Sequence, residues 1–181
     1  MGRGKYTSEI LQRFHVQDCK IMDTPLTTNW RKKDASIREV VDASIYRQLV
    51  GSLMYLVSKR PDICNVVNRL SKFMVKPIKI HWKETKHLLR YIRGIIYFGL
   101  WYKRTSGVKL QGFTDAEWAR SPSYMKSTLE VIFNVGSTII SWYSRKQIYI
   151  ALSSIEAKYM ASSQETYEAI WVRKILVGLF S

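Results

Sequence analysis

The 181-residue sequence predicts an α+β protein, a helical first part followed by an antiparallel three-stranded meander and a helix. Two observations carry that expectation. Up to about residue 94 apolar residues recur at steps of three and four, the spacing of a one-sided helix. Beyond Tyr97 the chain turns to short runs of β-branched and aromatic residues separated by turn signals.

Taken in order, Lys5 to Phe14 puts Ile10, Leu11 and Phe14 on one helical face, with Thr7 or Ser8 as the cap. Asp23 to Asp42 is polar, carries Pro25 and the cluster Arg31-Lys32-Lys33, and reads as a linker or exposed loop. Asp42 caps a helix buried through Ile45, Leu49, Leu53 and Leu56. Pro61 opens the next, which runs through Ile63, Val66, Val67, Leu70, Phe73 and Met74 until Pro77. The helix after that, from about Ile80 to Arg93, buries Trp82, Leu88, Leu89 and Ile92 and stops at Gly94 as a left-handed cap. Strand-like runs follow at Tyr97–Tyr102, Val108–Thr114, Leu129–Val135, Thr138–Tyr143 and Ile148–Leu152, with turns at Ser106-Gly107, Asn134 to Ser137 and Arg145-Lys146. A last helix runs from Ser154 to about Gly178, opened by a capping box in which Glu156 reaches back to the Ser153 backbone N–H.

Lys and Arg total 29 against 14 Asp and Glu, a net charge of +15 and a pI near 9.9. That balance points to a polyanionic partner, nucleic acid before an acidic membrane surface. A content of 46% hydrophobic and 13% aromatic residues excludes a disordered chain. Cys19 and Cys64 stand far apart without a His pair or second Cys, which argues against a disulfide framework or a zinc site. The N-terminus has no apolar core after its basic residues, Tyr6 stands where myristoylation needs Ser or Thr, and the longest apolar run, Gly94 to Tyr102, is half a membrane span. The expectation is a soluble, reduced, intracellular protein of cytoplasm or nucleus, with no membrane partner. The nine glycines are scattered and form no phosphate loop, and no small-molecule substrate is expected.

Asp115 closes an apolar strand in Gly112-Phe113-Thr114-Asp115-Ala116-Glu117-Trp118, a position from which a rigid sheet can hold a carboxylate against a hard cation. A turn-forming Asp bonded to its own backbone has the same spacing. Two-metal phosphodiester chemistry needs three or four converging carboxylates, and Glu117, Glu130, Glu156, Glu165 and Glu168 do not complete such a set. His15, His81 and His87 lie in the first half without a triad pattern, and His81, beside Trp82, reads as a packed or surface side chain. Basic residues among aromatics are the stronger signal: Lys83, Lys86, Arg90 and Arg93 on the helix ending at Gly94, and Arg145 and Lys146 later, are candidate phosphate contacts that read no sequence.

Longer runs add a resemblance. Tyr46-Arg47-Gln48-Leu49-Val50-Gly51-Ser52-Leu53-Met54-Tyr55-Leu56, Arg60-Pro61-Asp62-Ile63, His81-Trp82 and Leu89-Arg90-Tyr91-Ile92-Arg93-Gly94 resemble copia-type retrotransposon Pol polyproteins. So do Gly112 to Trp118, Lys126-Ser127-Thr128, Ile140-Ser141-Trp142, Ser144-Arg145-Lys146-Gln147, Ala151-Leu152-Ser153-Ser154 and Ala169-Ile170-Trp171, in the family's order. The resemblance implies a reverse-transcriptase C-terminal segment, thumb- and connection-like, over 1–107, and a truncated ribonuclease H-like domain over 108–181. The polymerase Tyr-x-Asp-Asp hairpin would lie upstream of Met1, so no polymerase activity is expected.

By the same resemblance Asp115 is the first metal ligand, for Mg²⁺ in the family. The family run Thr-Glu-Ala-Glu-Tyr corresponds to Ile155-Glu156-Ala157-Lys158-Tyr159, so Lys158 replaces the catalytic Glu and puts +1 where a cation should sit. Glu156, two residues away and rotated by about 200°, cannot substitute. Later ligands, in a Cys-Asp-Asn-type strand and a His-Ile-Asp-type segment, would lie beyond Ser181. Arg120-Ser121-Pro122-Ser123-Tyr124-Met125 also departs from the family's Gly- or Ser-rich turn. Ending after the first helix of that domain implies an uncovered sheet edge and exposure of Trp171, Ile175, Leu176 and Phe180, unless they pack on the helical half.

The expectation is a retrotransposon-derived segment without catalysis, binding no Mg²⁺ and holding RNA–DNA hybrid or DNA non-specifically. Two alternatives stand beside it: an active ribonuclease H, if downstream carboxylates exist in the whole product, and a reused interaction or effector-like protein, although no Arg-x-Leu-Arg motif occurs.

Overall fold

The computed structural model describes residues 4–28, 39–103, 109–117, 127–147 and 150–180, with the backbone alone for 116, 117 and 180. The Arg31-Lys32-Lys33 cluster, the Ser106-Gly107 turn, the run Arg120 to Met125, Lys126 and Ile148 lie outside the described residues. The fold is α+β, with five α-helices and one three-stranded antiparallel sheet among the described residues, divided into units Met1–Leu100 and Trp101–Ser181.

In the first unit, α1 (Gly4–Arg13) buries Ile10 and Leu11. Thr7 and Ser8 lie inside this helix rather than capping it: Thr7 is buried, and the Ser8 hydroxyl donates to the Gly4 carbonyl at 3.1 Å. Helix α2 (Ala43–Val57) begins as expected, the Asp42 carboxylate accepting from the Ser44 N–H at 2.7 Å. Its buried face is Tyr46, Leu49, Val50, Leu53 and Leu56, so the register runs through Tyr46 and leaves Ile45 exposed, contrary to expectation. The reason is the hydroxyl of Tyr46, which donates to the Leu70 carbonyl at 2.9 Å and so lets the large ring enter the core.

Pro61–Ile63 form a 3₁₀ turn that leads into α3 (Cys64–Ser71). The helix stops there, and Phe73 and Met74, expected within it, follow its end. Phe73 instead stacks on His81 at 3.7 Å between ring centroids. Helix α4 (Lys79–Gly94) opens on Ile78, which has no side-chain acceptor; the reverse bond forms, with the Ile78 N–H donating to His81 Nδ1 at 3.2 Å. His81 is thus a buried cap, in keeping with its packed reading. Gly94 is the last helical residue and is not left-handed; among the described residues positive φ occurs at His15 and Gly136. Its small size serves packing, because a Cβ there would collide with the Ile21 methyl. The core joins Ile10, Leu11, Phe14, Val16, Leu49, Leu53, Leu56, Ile63, Val66, Val67, Leu70, Leu88, Leu89 and Ile92.

In the second unit the strands are β1 (Leu110–Glu117), β2 (Thr128–Val135) and β3 (Thr138–Lys146), in the order β1-β2-β3. Tyr97–Tyr102 and the described part of Ile148–Leu152 are not strands, and Arg145-Lys146, expected as a turn, extends β3. Gly136, at φ 61°, supplies the left-handed residue of the two-residue β2–β3 turn. Leu129, Val131 and Phe133 alternate onto the face covered by α5 (Ser154–Phe180), meeting Ala157, Ala161 and Val172. At the start of α5 the Glu156 N–H donates to Ser153 Oγ at 3.1 Å, while the Glu156 carboxylate accepts from the Leu152 N–H at 2.6 Å, one residue earlier than expected.

Burial pushes the Tyr46 phenol up to about 12, against a partial lowering by Thr85. Its ordinary value is 10.0, so the stabilisation is complete below pH 10 and disappears as the pH climbs towards 12. Thermal melts across that range are expected to show this alkaline loss in the wild type and a smaller one in Tyr46→Phe. At neutral pH that variant is expected to lose about 1 kcal/mol with the hydrogen bond.

Candidate nucleic-acid interface and the metal-ligand positions

Charge is divided unequally between the units. The first carries 19 Lys and Arg against 8 Asp and Glu, a net +11, and the second 10 against 6, a net +4. Within the first, Lys79, Lys83, Lys86, Arg90 and Arg93 recur on α4 at steps of four and three, which sets them along one ridge of the helix.

The structure separates that ridge by task. Lys79 pairs with Glu39 at 2.5 Å, both ends solvated. Lys83 is exposed, and Lys86 lies over the Trp82 ring, 5.4 Å from its centroid. Arg90 donates through Nε to the Lys20 carbonyl at 2.6 Å, and Arg93 donates to the Cys19 carbonyl. Beside them Glu84 accepts from the Thr27 N–H at 3.2 Å, and His87 Nε2 lies 2.8 Å from the Thr24 carbonyl. The two arginines expected as phosphate contacts therefore also fasten the segment after α1 to α4, a long-range role that helical spacing does not reveal.

In the second unit Arg145 is exposed, with its guanidinium 4.0 Å from the Tyr143 ring centroid. Burial pushes the Tyr143 phenol up, Arg145 pulls it down, and Glu168 and Glu165 raise it again. Lys146 ends β3 half-buried.

Asp115 lies within β1, which continues to Glu117, so it is neither at the strand end nor in a turn. It is exposed and stands directly opposite Glu130, itself opposite Ser144. Because Leu129 and Val131 point to α5, the alternation of β2 puts Glu130 and Asp115 on the other face. Lys158 is exposed on α5, whose first turn is held to the end of β3 by Gln147 Nε2 donating to the Ala157 carbonyl at 2.8 Å. The structure does not bring Asp115 and Lys158 to one site, and among the described residues no group of three or more His, Cys, Asp or Glu could hold a metal ion. The residues described do not fit a divalent-metal centre. Sequence reading missed Gln147, whose burial had no local signal. It also missed the exposed Trp101 and Tyr102, which their composition assigned to a strand.

Comparison with known proteins fixes the family. The chain is 34% identical over 179 residues, 99% of its length, to the retrovirus-related Pol polyprotein from transposon RE2 of Arabidopsis thaliana. Over 186 residues it is 34% identical to that from transposon TNT 1-94 of Nicotiana tabacum, again 99% of the chain. An uncharacterised mitochondrial protein of Arabidopsis thaliana is 34% identical over 171 residues, 94% of this chain and 71% of that protein. The chain belongs to the copia-type retrotransposon Pol polyproteins. It spans 12% and 14% of the length of those two Pol polyproteins. No family model matches it, and no solved structure matches it.

On this Pol segment the family-like runs fall on packing as much as on surface. Tyr46, Leu49, Val50, Leu53 and Leu56 of the first run supply the buried face of α2, while Arg47 and Gln48 between them are exposed, and Arg60-Pro61-Asp62 builds the turn before α3. Among the described residues no helix is long and apolar enough to cross a membrane.

The division of the α4 ridge has a measurable outcome. Arg90→Ala and Arg93→Ala are each expected to lower stability by about 1 kcal/mol, as removal of a side-chain to carbonyl bond does. Denaturant titration measures both losses.

Proposed function

We propose that this transposon-derived segment is a non-catalytic nucleic-acid-binding part of a Pol polyprotein, acting inside the cell. Residues 1–107 correspond in this reading to the end of a reverse transcriptase and 108–181 to the beginning of a ribonuclease H-like domain. The observation that carries it is the net +11 of the helical unit, with Lys83 and Lys86 on one ridge of α4. Such charge binds phosphates by releasing counterions and reads no base. RNA–DNA hybrid or DNA is the partner, held non-specifically, with Arg145 and Lys146 as further contacts.

Asp115 keeps the family's first ligand position but holds no Mg²⁺ in this reading. A cation there would have Glu130 as its neighbour on the sheet face, while Lys158 replaces the second carboxylate with a positive charge. The segment therefore supplies affinity and no phosphodiester cleavage.

Two measurements test this. Hybrid binding is expected to weaken steeply with salt, and the double variant Lys83→Ala/Lys86→Ala to flatten the log–log slope by about 2, one for each phosphate no longer neutralised. Affinity that is the same at low and high salt would overturn the electrostatic mechanism. Incubation of hybrid with Mg²⁺ or Mn²⁺ is expected to leave the RNA strand intact, and cleavage abolished by Asp115→Asn would overturn the non-catalytic assignment.

A further inference from the structure

Trp101 and Tyr102 are exposed to 77% and 50%, although both belong to residues tied to the sheet. The Thr138 hydroxyl donates to the Trp101 carbonyl at 2.8 Å, and the Tyr102 hydroxyl donates to the Ile139 carbonyl at 3.3 Å. Both bonds fall at the start of β3. The Gly136 N–H donates to the Lys109 carbonyl at 3.2 Å, which brings the start of β1 to the same turn. Lys103 and Lys109 are exposed. An indole, a phenol ring and two ammonium groups are thus carried on backbone that converges on the β2–β3 turn.

An indole left in water forgoes the stabilisation that burial would give it, and here its backbone is already fixed, so covering it costs little further ordering. A partner that covers it must tolerate two cations at its rim. Single-stranded nucleic acid meets both conditions, since its unpaired bases offer π-faces and its phosphates offer charge. A duplex does not, because its base faces are already stacked.

We infer that Trp101 and Tyr102, at the β2–β3 turn, form a stacking site for an unpaired base of single-stranded nucleic acid, with Lys103 and Lys109 at the flanking phosphates. The site rests on the nucleic-acid reading above but is separate from the α4 ridge. Aromatic stacking is tolerant of sequence, so any preference follows base stacking strength.

Short oligodeoxythymidine and an RNA–DNA hybrid duplex serve as the two probes, titrated against wild type, Trp101→Ala and Trp101→Phe. The expected result is roughly tenfold weaker oligodeoxythymidine binding by Trp101→Ala, with most of the affinity kept by Trp101→Phe and hybrid binding unchanged in both. Oligodeoxythymidine binding equal in wild type and Trp101→Ala overturns the stacking site and leaves the hybrid reading standing. Failure of the wild type to bind either probe overturns both. Sedimentation of wild type and Trp101→Ala without nucleic acid adds a further check, since a self-association abolished in the variant would make the indole a protein contact and overturn the site. Should Trp101→Ala fold poorly by circular dichroism, quenching of wild-type fluorescence beyond that of Trp101→Phe on adding oligodeoxythymidine decides the matter, and equal quenching overturns the site.

Discussion

The helical unit depends on one buried guanidinium. Arg60 stands where α2 has ended and the 3₁₀ turn begins, with 9% of its side chain exposed. Its Nε and one terminal nitrogen donate to both oxygens of Asp62, at 2.9 and 2.7 Å, and the other terminal nitrogen donates to the Ile95 carbonyl at 3.2 Å. Tyr91 donates its hydroxyl to the same carboxylate at 3.3 Å, and burial, then Asp62, pushes that phenol up. A charge out of water must be compensated in full, and here the planar fork takes a carboxylate on one side and the open C-terminus of α4 on the other. The turn between α2 and α3 is thereby locked to the far end of α4. Pro61 between the two charged residues helps set their spacing, since its fixed φ limits the backbone that joins them.

The second unit rests on a different constraint, the period of two along its strands. With Leu129, Val131 and Phe133 committed to α5, the intervening residues have no choice of face. That commitment puts Asp115 with Glu130 and away from the helix. Close approach of helix to sheet also needs Gly112, where a Cβ would meet the Phe133 ring and the Glu165 carboxylate. A groove of about 800 Å³ runs beside it, lined by Lys109, Leu110, Glu165 and Arg173 among others.

Local patterns made much of this architecture legible. The caps at Asp42 and Ser153, the break near Pro61 and the β2–β3 turn each have a cause within four residues, and each could be read. What was hidden had causes far along the chain. Ile45 and Tyr46 fit the helical period almost equally well, and the choice fell to a hydroxyl finding a carbonyl 24 residues on. Gly94 has the residue type of a left-handed cap but is small because of Ile21. The aromatic run Tyr97–Tyr102 has the composition of a strand, yet composition reports affinity for an apolar surface and not the presence of one. Of the candidate site, the basic residues were legible as charge; that two of them fasten a loop was not, because a guanidinium looks the same in sequence whether it faces a phosphate or a carbonyl.

The unequal charge of the units has a consequence in time as well as in affinity. A polyanion pulls on positive charge before contact, over distances set by the Debye length, and the pull on each unit grows with that unit's own charge. In the proposed reading the helical unit, with its +11, feels that pull more strongly than the sheet unit, with its +4. The proposed binding is then faster at low salt, and added salt erases that gain along with the attraction.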